Sequence, residues 1–332
     1  MPTDAPRAPA SRYRLALILA FVSGWGMSAQ SRMNGEVASV LGAPAQAAVW
    51  SFGSGLVLLG LATLLSARVR RGIGRIAAAL RGERLRWWQC LGGIGGGFFV
   101  AVQTAAVPLV GVAIFTVATV AGQTATGLLV DRLGIGPGGR RPILLSRVIA
   151  AVLAVAGVGV TVSGSLGEGG LSPLPVVLAV VAGAGLALQQ GVNGRVNLVS
   201  RDVLATTGQN FLTGTAFLVV LLGVQWLRGA YEPVSFAGVP WWAWWGGCIG
   251  VVFIAVAAWA VQHLGVLVFG LALLSGQIVS ALAIDLAVPT AGHEVTLVMA
   301  LGAGVTLAAA TVAGWFARPT RTAPDPSTLV KG

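Results

Sequence analysis

The chain has 332 residues, of which 56% belong to the set AVILMFWYC and only 9% are charged. Soluble domains usually carry about 25% charged residues, so the composition excludes a domain of this length with a fully water-exposed surface. The formal net charge of +11 would suit a nucleic-acid partner, but nearly all the basic residues are Arg and they cluster between apolar runs. This arrangement is typical of membrane proteins, so we expect no nucleic-acid partner.

Ten apolar runs follow one another along the chain, each close to the length of about 20 residues that a membrane-spanning helix needs. They lie at about 13–33, 46–67, 88–108, 112–131, 142–163, 174–194, 205–227, 241–262, 266–286 and 295–316. The links near Val110-Gly111 and Leu264-Gly265 are so short that they predict tight hairpins between spans 3 and 4 and between spans 8 and 9. We therefore expect an all-α polytopic protein with ten transmembrane helices.

The basic residues indicate which ends of the spans face the cytoplasm. With ten spans, nineteen of the 21 basic residues fall on one side, and only Arg32 and Arg228 fall on the other. Cytoplasmic loops carry an excess of Lys and Arg, so both termini are predicted to be cytoplasmic. Removing one internal span would mix the two sides, so this segregation also supports the span count.

The same motifs occur twice along the chain and in the same order. Matches at an offset of 159 pair Gln30 with Gln189, Asn34 with Asn193, Phe52 with Phe211 and Gly55 with Gly214; matches at an offset of 154 pair Trp87-Trp88 with Trp241-Trp242, Gly122-Gln123 with Gly276-Gln277 and Asp131 with Asp285. Each half has five spans, an odd number, so the second half enters the membrane from the opposite side. Inverted repeats of this kind are a known transporter architecture, with the binding site at the repeat interface near the bilayer midplane.

This symmetry divides the chain into five predicted parts. They are a flexible cytoplasmic N-terminus at 1–12, a first five-helix repeat at 13–163, a periplasmic linker at 164–173, a second five-helix repeat at 174–316 and a cytoplasmic tail at 317–332. A fused pair of repeats needs no second copy to complete it, which is compatible with a monomer.

Two glutamines near the middle of spans 4 and 9 are the first candidate site residues. Gln123 belongs to a polar face that includes Thr119 and Thr126, while Gln277 is followed by Ser280 in the matching position. Lipid cannot satisfy an amide, so these side chains are expected to face the bundle interior or a cavity. They form either a substrate-binding stripe or hydrogen bonds that hold neighbouring helices together, and their duplication suits both interpretations.

Four further amides and two carboxylates lie near span ends. Gln30 and Asn34 in span 1 repeat as Gln189 and Asn193 in span 6, each pair at i, i+4. They are candidates to bind substrate along an access path, or else to close helix ends. Asp131 and Asp285 end spans 4 and 9 and are candidate gating residues, with a solvated or Arg-paired carboxylate as the alternative.

The sequence shows no pattern of a catalytic, metal or cofactor site. Cys90 and Cys248 are predicted at opposite membrane faces, too far apart for a disulfide, and are expected to be free thiols. His263 and His293 are also predicted on opposite faces, and the two histidines and two cysteines are too scattered for a zinc site. We therefore expect no enzyme activity, no metal and no cofactor.

The repeated motifs resemble those of a known family. The two Gln-x-x-x-Asn pairs, the segment Ser51 to Gly55, the tryptophans before Gly-Gly and the Gly-Gln blocks are similar to motifs of the YdcZ-like inner-membrane exporters, in the drug/metabolite transporter superfamily. The resemblance covers about 13–316 and departs at Asn210, where the first half has Ser51. It implies the fused ten-span form of that family and an inner-membrane transporter, without naming a substrate.

Together these patterns favour secondary transport of a small molecule that the two halves pass across the membrane by alternating access, and the family resemblance implies export. No charged side chain is predicted in the middle of a span, which argues against a strongly charged substrate and gives no support to proton coupling. The alternatives are a channel or facilitator for a small neutral solute and a membrane scaffold without transport activity.

Overall fold

The computed structural model describes residues 10–136, 139–140, 145–163, 173–231, 233–288 and 296–315, and the described residues are almost entirely helical. The α-helices are α1 (Ala10–Leu41), α2 (Pro44–Leu65), α3 (Ala67–Arg81), α4 (Gly92–Leu133), α5 (Leu145–Ser163), α6 (Pro173–Ser200), α7 (Val203–Leu227), α8 (Gly246–Ala287) and α9 (Leu297–Trp315). Short 3-10 helices at Trp87–Leu91 and Trp241–Trp245 precede α4 and α8. Most of the predicted N-terminus, linker and tail lies outside the described residues.

The helices follow the predicted apolar runs closely. Among the described residues, four helices are long and apolar enough to cross a membrane: Pro44–Leu65, Trp87–Val130, Pro173–Ser200 and Val203–Leu227. The prediction of an all-helical membrane protein is confirmed, while the number of crossings stays a prediction. Local chemistry fixes several helix starts, since Pro44 occupies the first turn of α2 and Asp202 caps α7 by accepting from the Ala205 N–H at 2.9 Å.

The predicted link at 68–87 contains a helix that the sequence analysis treated as connection. Helix α3 is amphipathic, with Val69, Gly72, Ile76 and Ala79 buried along one side. Their spacing is helical, so the signal was present but was masked by the density of arginines in the segment. Helix α3 follows α2 after a single residue, Ser66, and packs on α6 and α7.

Helix α4 changes direction at the predicted hairpin. Gly111 has φ 80° and ψ 169°, a conformation that favours glycine, and the helix resumes at Val112. Position 92 of α4 lies against Asn193 of α6, and Gly122 lies against Val180. A straight helix would separate positions 92 and 122 by about 45 Å, whereas positions 180 and 193 of α6 are about 20 Å apart. Helix α4 must therefore fold back, which confirms the hairpin between spans 3 and 4.

The resumed helix of α4 is capped by a carboxylate from α8. Asp285 is buried, its Oδ1 accepts from the Val112 N–H at 3.1 Å and its Oδ2 accepts from the Ala113 N–H at 2.6 Å. The first N–H groups of a helix have no partner within the helix, and a negative charge is favourable at that end. The cap thus ties α8 to the break in α4.

Helix α8 shows the same pattern of contacts with α1. Gly246 lies against Asn34, and Gly276 lies against the carbonyl of Phe21. The two glycines would be about 45 Å apart on a straight helix, but Phe21 and Asn34 are only about 20 Å apart on α1. Helix α8 must therefore also reverse direction between these glycines, as predicted for spans 8 and 9.

Two close helix pairs form the centre of the structure, α1 with α8 and α6 with α4. At Gly122 an added Cβ would lie 1.9 Å from the Val180 carbonyl oxygen, and at Gly276 it would lie 2.0 Å from the Phe21 carbonyl oxygen. Only glycine permits this approach of two backbones, which is how helices pack closely in membranes. Beside these pairs, the rings of Phe52 and Phe211 stack with centroids 4.8 Å apart.

We expect Gly122→Ala to destabilise the protein because its methyl group would meet the backbone of α6. Overpacking of this kind typically costs about 1–3 kcal/mol. The matched control is Gly127→Ala in the same helix, where a Cβ meets nothing within 4 Å, and the better helix propensity of Ala should leave stability equal or higher. Thermal unfolding of the purified variants in detergent measures both effects. Equal melting temperatures for the two variants would contradict the close approach.

We expect Asp285→Ala to lower stability by about 1–3 kcal/mol, because the Val112 and Ala113 N–H groups lose their partner. Asp285→Asn should fall between wild type and Asp285→Ala, since one amide oxygen can still accept. The control is Glu36→Gln, which removes the charge that pairs with Arg32 at 3.3 Å between two partly buried side chains but keeps a hydrogen-bond acceptor, and it should cost less than Asp285→Ala. An Asp285→Ala variant with the melting temperature of the control would show that the cap is not needed.

Candidate functional site

A buried polar network links α1 to both α4 and α8. Ser28, Ser31 and Asn34 are spaced three residues apart and share one side of α1. The Ser28 hydroxyl donates to the Gln277 carbonyl of α8 at 2.8 Å. The Asn34 amide donates to Oε1 of Gln103 in α4 at 2.7 Å, and the Gln103 amide donates to the Ser31 hydroxyl at 2.7 Å. We call these five residues the α1 network.

Gln103 is the member that the sequence analysis missed. It lies in the middle of the first segment of α4 and is only 1% exposed. A signal was available, because an amide in the middle of an apolar span demands a polar partner just as it does at Gln123. Gln103 is not part of a duplicated motif, since an offset of 154 leads from Gln103 to Ala257.

The network offers neutral hydrogen-bonding groups and no charge. Hydrogen bonds between membrane helices contribute about 0.6–2 kcal/mol each, so the network stabilises the packing of α1 against α4 and α8. Side chains of this kind also bind neutral polar groups of a ligand when a helix moves and a partner is exchanged. A bare ion buried here would meet no opposite charge among the five residues, which disfavours it.

The two predicted glutamines have different surroundings. Gln277 and Ser280 are buried, and the Ser280 hydroxyl donates to the Gln277 carbonyl at 3.1 Å. Gln123 and Thr126 are only half-buried. Thr119 is buried, and its hydroxyl donates to the Thr116 carbonyl at 2.9 Å. Equivalent sequence positions therefore differ in exposure between α4 and α8.

An apolar cluster, instead of a polar bridge, joins the segments that carry the two glutamines. Val117 and Val120 of α4 belong to the same buried cluster as Ile278 of α8. Among the hydrogen bonds of the described residues, none joins Gln123 to Gln277. The structure thus brings the two helices together but leaves the proposed pairing of the two amides at one site as a prediction.

The repeated Gln-x-x-x-Asn pairs both lie against glycines at the start of a hairpin. Asn34 and Gln30 lie against Gly246 and Gly250, and the matching side chains Asn193 and Gln189 lie against Gly92 and Gly96 in α4. The first Asn is satisfied by Gln103, whereas Asn193 Oδ1 and Gln189 Oε1 are buried without a hydrogen-bond partner among the described residues. Because both oxygens are enclosed, they could accept hydrogen bonds from a ligand only after a movement of the helices, and this role stays a prediction.

The structure describes the side chain of one of the two candidate gating carboxylates, Asp285. Asp285 is engaged with the α4 backbone, so opening the protein there would have to break the helix cap. Asp131 lies in α4, but its side chain falls outside the described residues. A gating role for either carboxylate stays a prediction.

The described residues contain no cluster of three His, Cys, Asp or Glu side chains that could hold a metal ion. Cys90 and Cys248 are both free thiols, as predicted. His263 and His293 cannot be placed in a site, because their side chains lie outside the described residues.

The chain is similar to known proteins in both sequence and fold. The model of a family described as "Putative inner membrane exporter, YdcZ" matches residues 15–160 and 174–312. A solved structure described only as "Crystal structure of protein" has the same fold, with a TM-score of 0.58 at 21% identity over 93% of this chain and 99% of that one. No curated protein matches the chain. Since the family model matches most of its length, in two segments, the chain belongs to the YdcZ family of inner membrane exporters, a membrane transport family and not an enzyme family.

Proposed function

We propose that the protein is a ten-span secondary transporter of two inverted five-helix repeats, which exports a small uncharged molecule by alternating access. The observation that carries this proposal is the reciprocal packing of the two halves. Several contacts between the halves, at the Phe52–Phe211 pair and at the close glycines, recur with the two halves exchanged. Membership of an exporter family supplies the transport function, and the geometry supports the mechanism.

The aromatic contact between the halves supports a two-fold relation. Phe52 and Phe211 are matched positions of the two repeats, yet their rings stack on each other. Gly55 lies against the Phe211 ring, and Gly214 lies against the Phe52 ring. A residue that contacts its own counterpart, with neighbours that contact reciprocally, is the pattern that a two-fold axis produces.

The close glycine contacts repeat in the same way. Gly122 lies against the carbonyl of Val180, and Gly276 lies against the carbonyl of Phe21. The two glycines are separated by the offset of 154 and the two carbonyl residues by the offset of 159. The first helix of each half therefore packs on the hairpin of the other half, so a movement of one hairpin is transmitted across the repeat interface.

Unequal exposure of matched residues supports two alternating states. Gln123 and Thr126 are half-buried, whereas Gln277 and Ser280 are buried. Two halves of similar sequence have conformations that are close in energy, and exchanging these conformations would open the opposite side. In the proposed cycle, the substrate binds between α4 and α8 near these residues, with the α1 network and the pair Gln189 and Asn193 along its path.

We expect a thermal-shift screen of uncharged, cationic and anionic small molecules to give hits among the uncharged ones. A ligand at 100 times its Kd stabilises the protein by about 2.7 kcal/mol. The shift should be lost in Gln123→Leu/Gln277→Leu and reduced in Gln103→Leu, because each removes hydrogen-bonding groups from the proposed site. Gln225→Leu near the end of α7, far along the chain from these positions, is the matched control and should retain the shift.

The same screen tests the glutamine site separately from the transport function. A hit that survives in the folded double variant overturns the glutamine site but not transport. Uptake of a labelled hit is then measured in proteoliposomes. A transporter gives uptake that saturates with concentration and that is accelerated when unlabelled hit is present inside the vesicles. Uptake that rises linearly with concentration and shows no such acceleration would indicate a channel instead.

Both termini are predicted to be cytoplasmic, because nineteen of the 21 basic residues share one side of a ten-span topology. Green fluorescent protein fused to either terminus should fluoresce, and alkaline phosphatase fused there should be inactive. Phosphatase inserted between Arg228 and Trp241, a periplasmic link in this topology, should be active and serves as the positive control. Active phosphatase at one terminus only would place the two termini on opposite sides of the membrane. The number of spans would then be odd, which two five-span repeats do not allow.

A further inference from the structure

A cavity of about 330 Å³ lies between α3 and the link from α6 to α7, and three arginines line it. Its lining residues are Arg75, Arg84, Leu198, Val199 and Arg201. The lining therefore contains three positive charges, two apolar side chains and no acidic group. Neither Arg84 nor Arg201 forms a salt bridge with any of the described residues. Three guanidinium groups around one cavity repel each other unless an anion lies between them.

Two carboxylates adjoin the cavity arginines in sequence: Glu83, which is exposed and does not line the cavity, precedes Arg84, and Asp202 is engaged elsewhere. Asp202 follows Arg201 directly, but it is buried, pairs with Arg68 at 3.1 Å and caps the start of α7 through the Ala205 N–H. Arg75 is held in place because its Nε donates to the Ser200 carbonyl at 2.7 Å. The fold thus fixes one arginine at the cavity and directs the adjacent carboxylate into the protein.

The backbone at Arg201 is strained. Its φ is 50°, in the left-handed region, and it directly follows the end of α6, where its N–H donates to the Asn197 carbonyl at 2.9 Å. Glycine or asparagine usually occupies this position because other side chains are disfavoured there. Glu83, at φ 55° after the end of α3, has the same conformation, so a left-handed residue ends the helix on both sides of the cavity.

The position of the cavity relates it to the membrane. Helix α3 starts one residue after the membrane-spanning helix α2, whose last residues, Leu64 and Leu65, are 74% and 86% exposed. Leu198 in the cavity lining is 57% exposed. Helix α3 buries its apolar side against protein, mainly α6 and α7, and leaves most of its arginines exposed. Leu198 thus provides an exposed apolar side chain for an acyl chain next to a site for a charged headgroup.

We propose that this cavity binds the phosphate group of an anionic phospholipid, with Arg75, Arg84 and Arg201 as its ligands. Guanidinium groups match phosphate oxygens in bidentate geometry, and basic pockets at the ends of membrane helices bind anionic headgroups. The lipid would join α3 to the link between α6 and α7, and so connect elements from the two halves of the chain. This inference concerns lipid binding alone and does not depend on the identity of the transported molecule.

The test measures binding of phosphatidylglycerol and of phosphatidylcholine to the purified full-length protein by native mass spectrometry. The variant Arg84→Gln/Arg201→Asn removes two cavity charges, and asparagine suits the left-handed backbone at position 201. The control Arg71→Gln/Arg81→Gln removes two exposed charges from α3 that do not line the cavity. Phosphatidylglycerol affinity should fall at least about tenfold in the cavity variant and less than about threefold in the control.

Several outcomes would overturn the proposal. Equal losses in the cavity variant and the control would indicate diffuse surface attraction without a site. Unchanged binding in the cavity variant, or equal binding of phosphatidylcholine and phosphatidylglycerol by wild type, would exclude an anionic headgroup. Competition by inorganic phosphate or glycerol phosphate at concentrations comparable to the lipid would assign the cavity to a soluble anion. The single variant Arg84→Gln, with a wild-type melting temperature, gives the same test if the double variant does not fold.

Discussion

The close approach of α1 to α8 and of α6 to α4 is the constraint on which the other features depend. At Gly122 and Gly276 no side chain separates the two backbones, so the helices meet at a distance that any larger residue would prevent. This approach brings the polar side of α1 within hydrogen-bonding distance of α4 and α8, as the pairs Asn34–Gln103 and Ser28–Gln277 show. It also gives each half of the chain its main contact with the other half. The proposed site and the proposed coupling between the halves therefore both depend on the same glycine contacts.

How far a feature could be predicted depended on whether its cause is local. The helices followed from apolar runs, and the turn at Gly111 followed from the shortness of the link and the presence of glycine. Helix α3 was missed because a high density of arginine was attributed to a loop, although its buried positions have helical spacing. The partners of Gln103 and Asp285 could not be predicted, since they lie 69 to 173 residues away and depend on how the hairpins pack. Placement of Gln123 and Gln277 at one site likewise requires a distance that no local pattern contains.

The two halves have diverged in their polar groups more than in their packing. Asn34 and Asn193 both lie against a glycine that starts a hairpin, but only Asn34 has a partner like Gln103, because the matching position is Ala257. Packing contacts such as Phe52 with Phe211 are kept on both sides. In the proposed cycle, preserved packing would allow the two halves to exchange conformations, and unequal polar groups would let the ligand meet different chemistry as it crosses. An exporter benefits from such a difference, since binding and release should not be equally favourable.

The stacking of Phe52 on Phe211 has a consequence for how such a protein evolves. In a five-span chain that paired with an identical copy, one substitution at this position would change both rings at once. A fused gene separates the two events, so one ring can change while the other adjusts later. Duplication and fusion thus turn a self-complementary surface into two independently mutable surfaces. The unequal pair of Gln103 and Ala257 is an outcome that two identical copies could not reach.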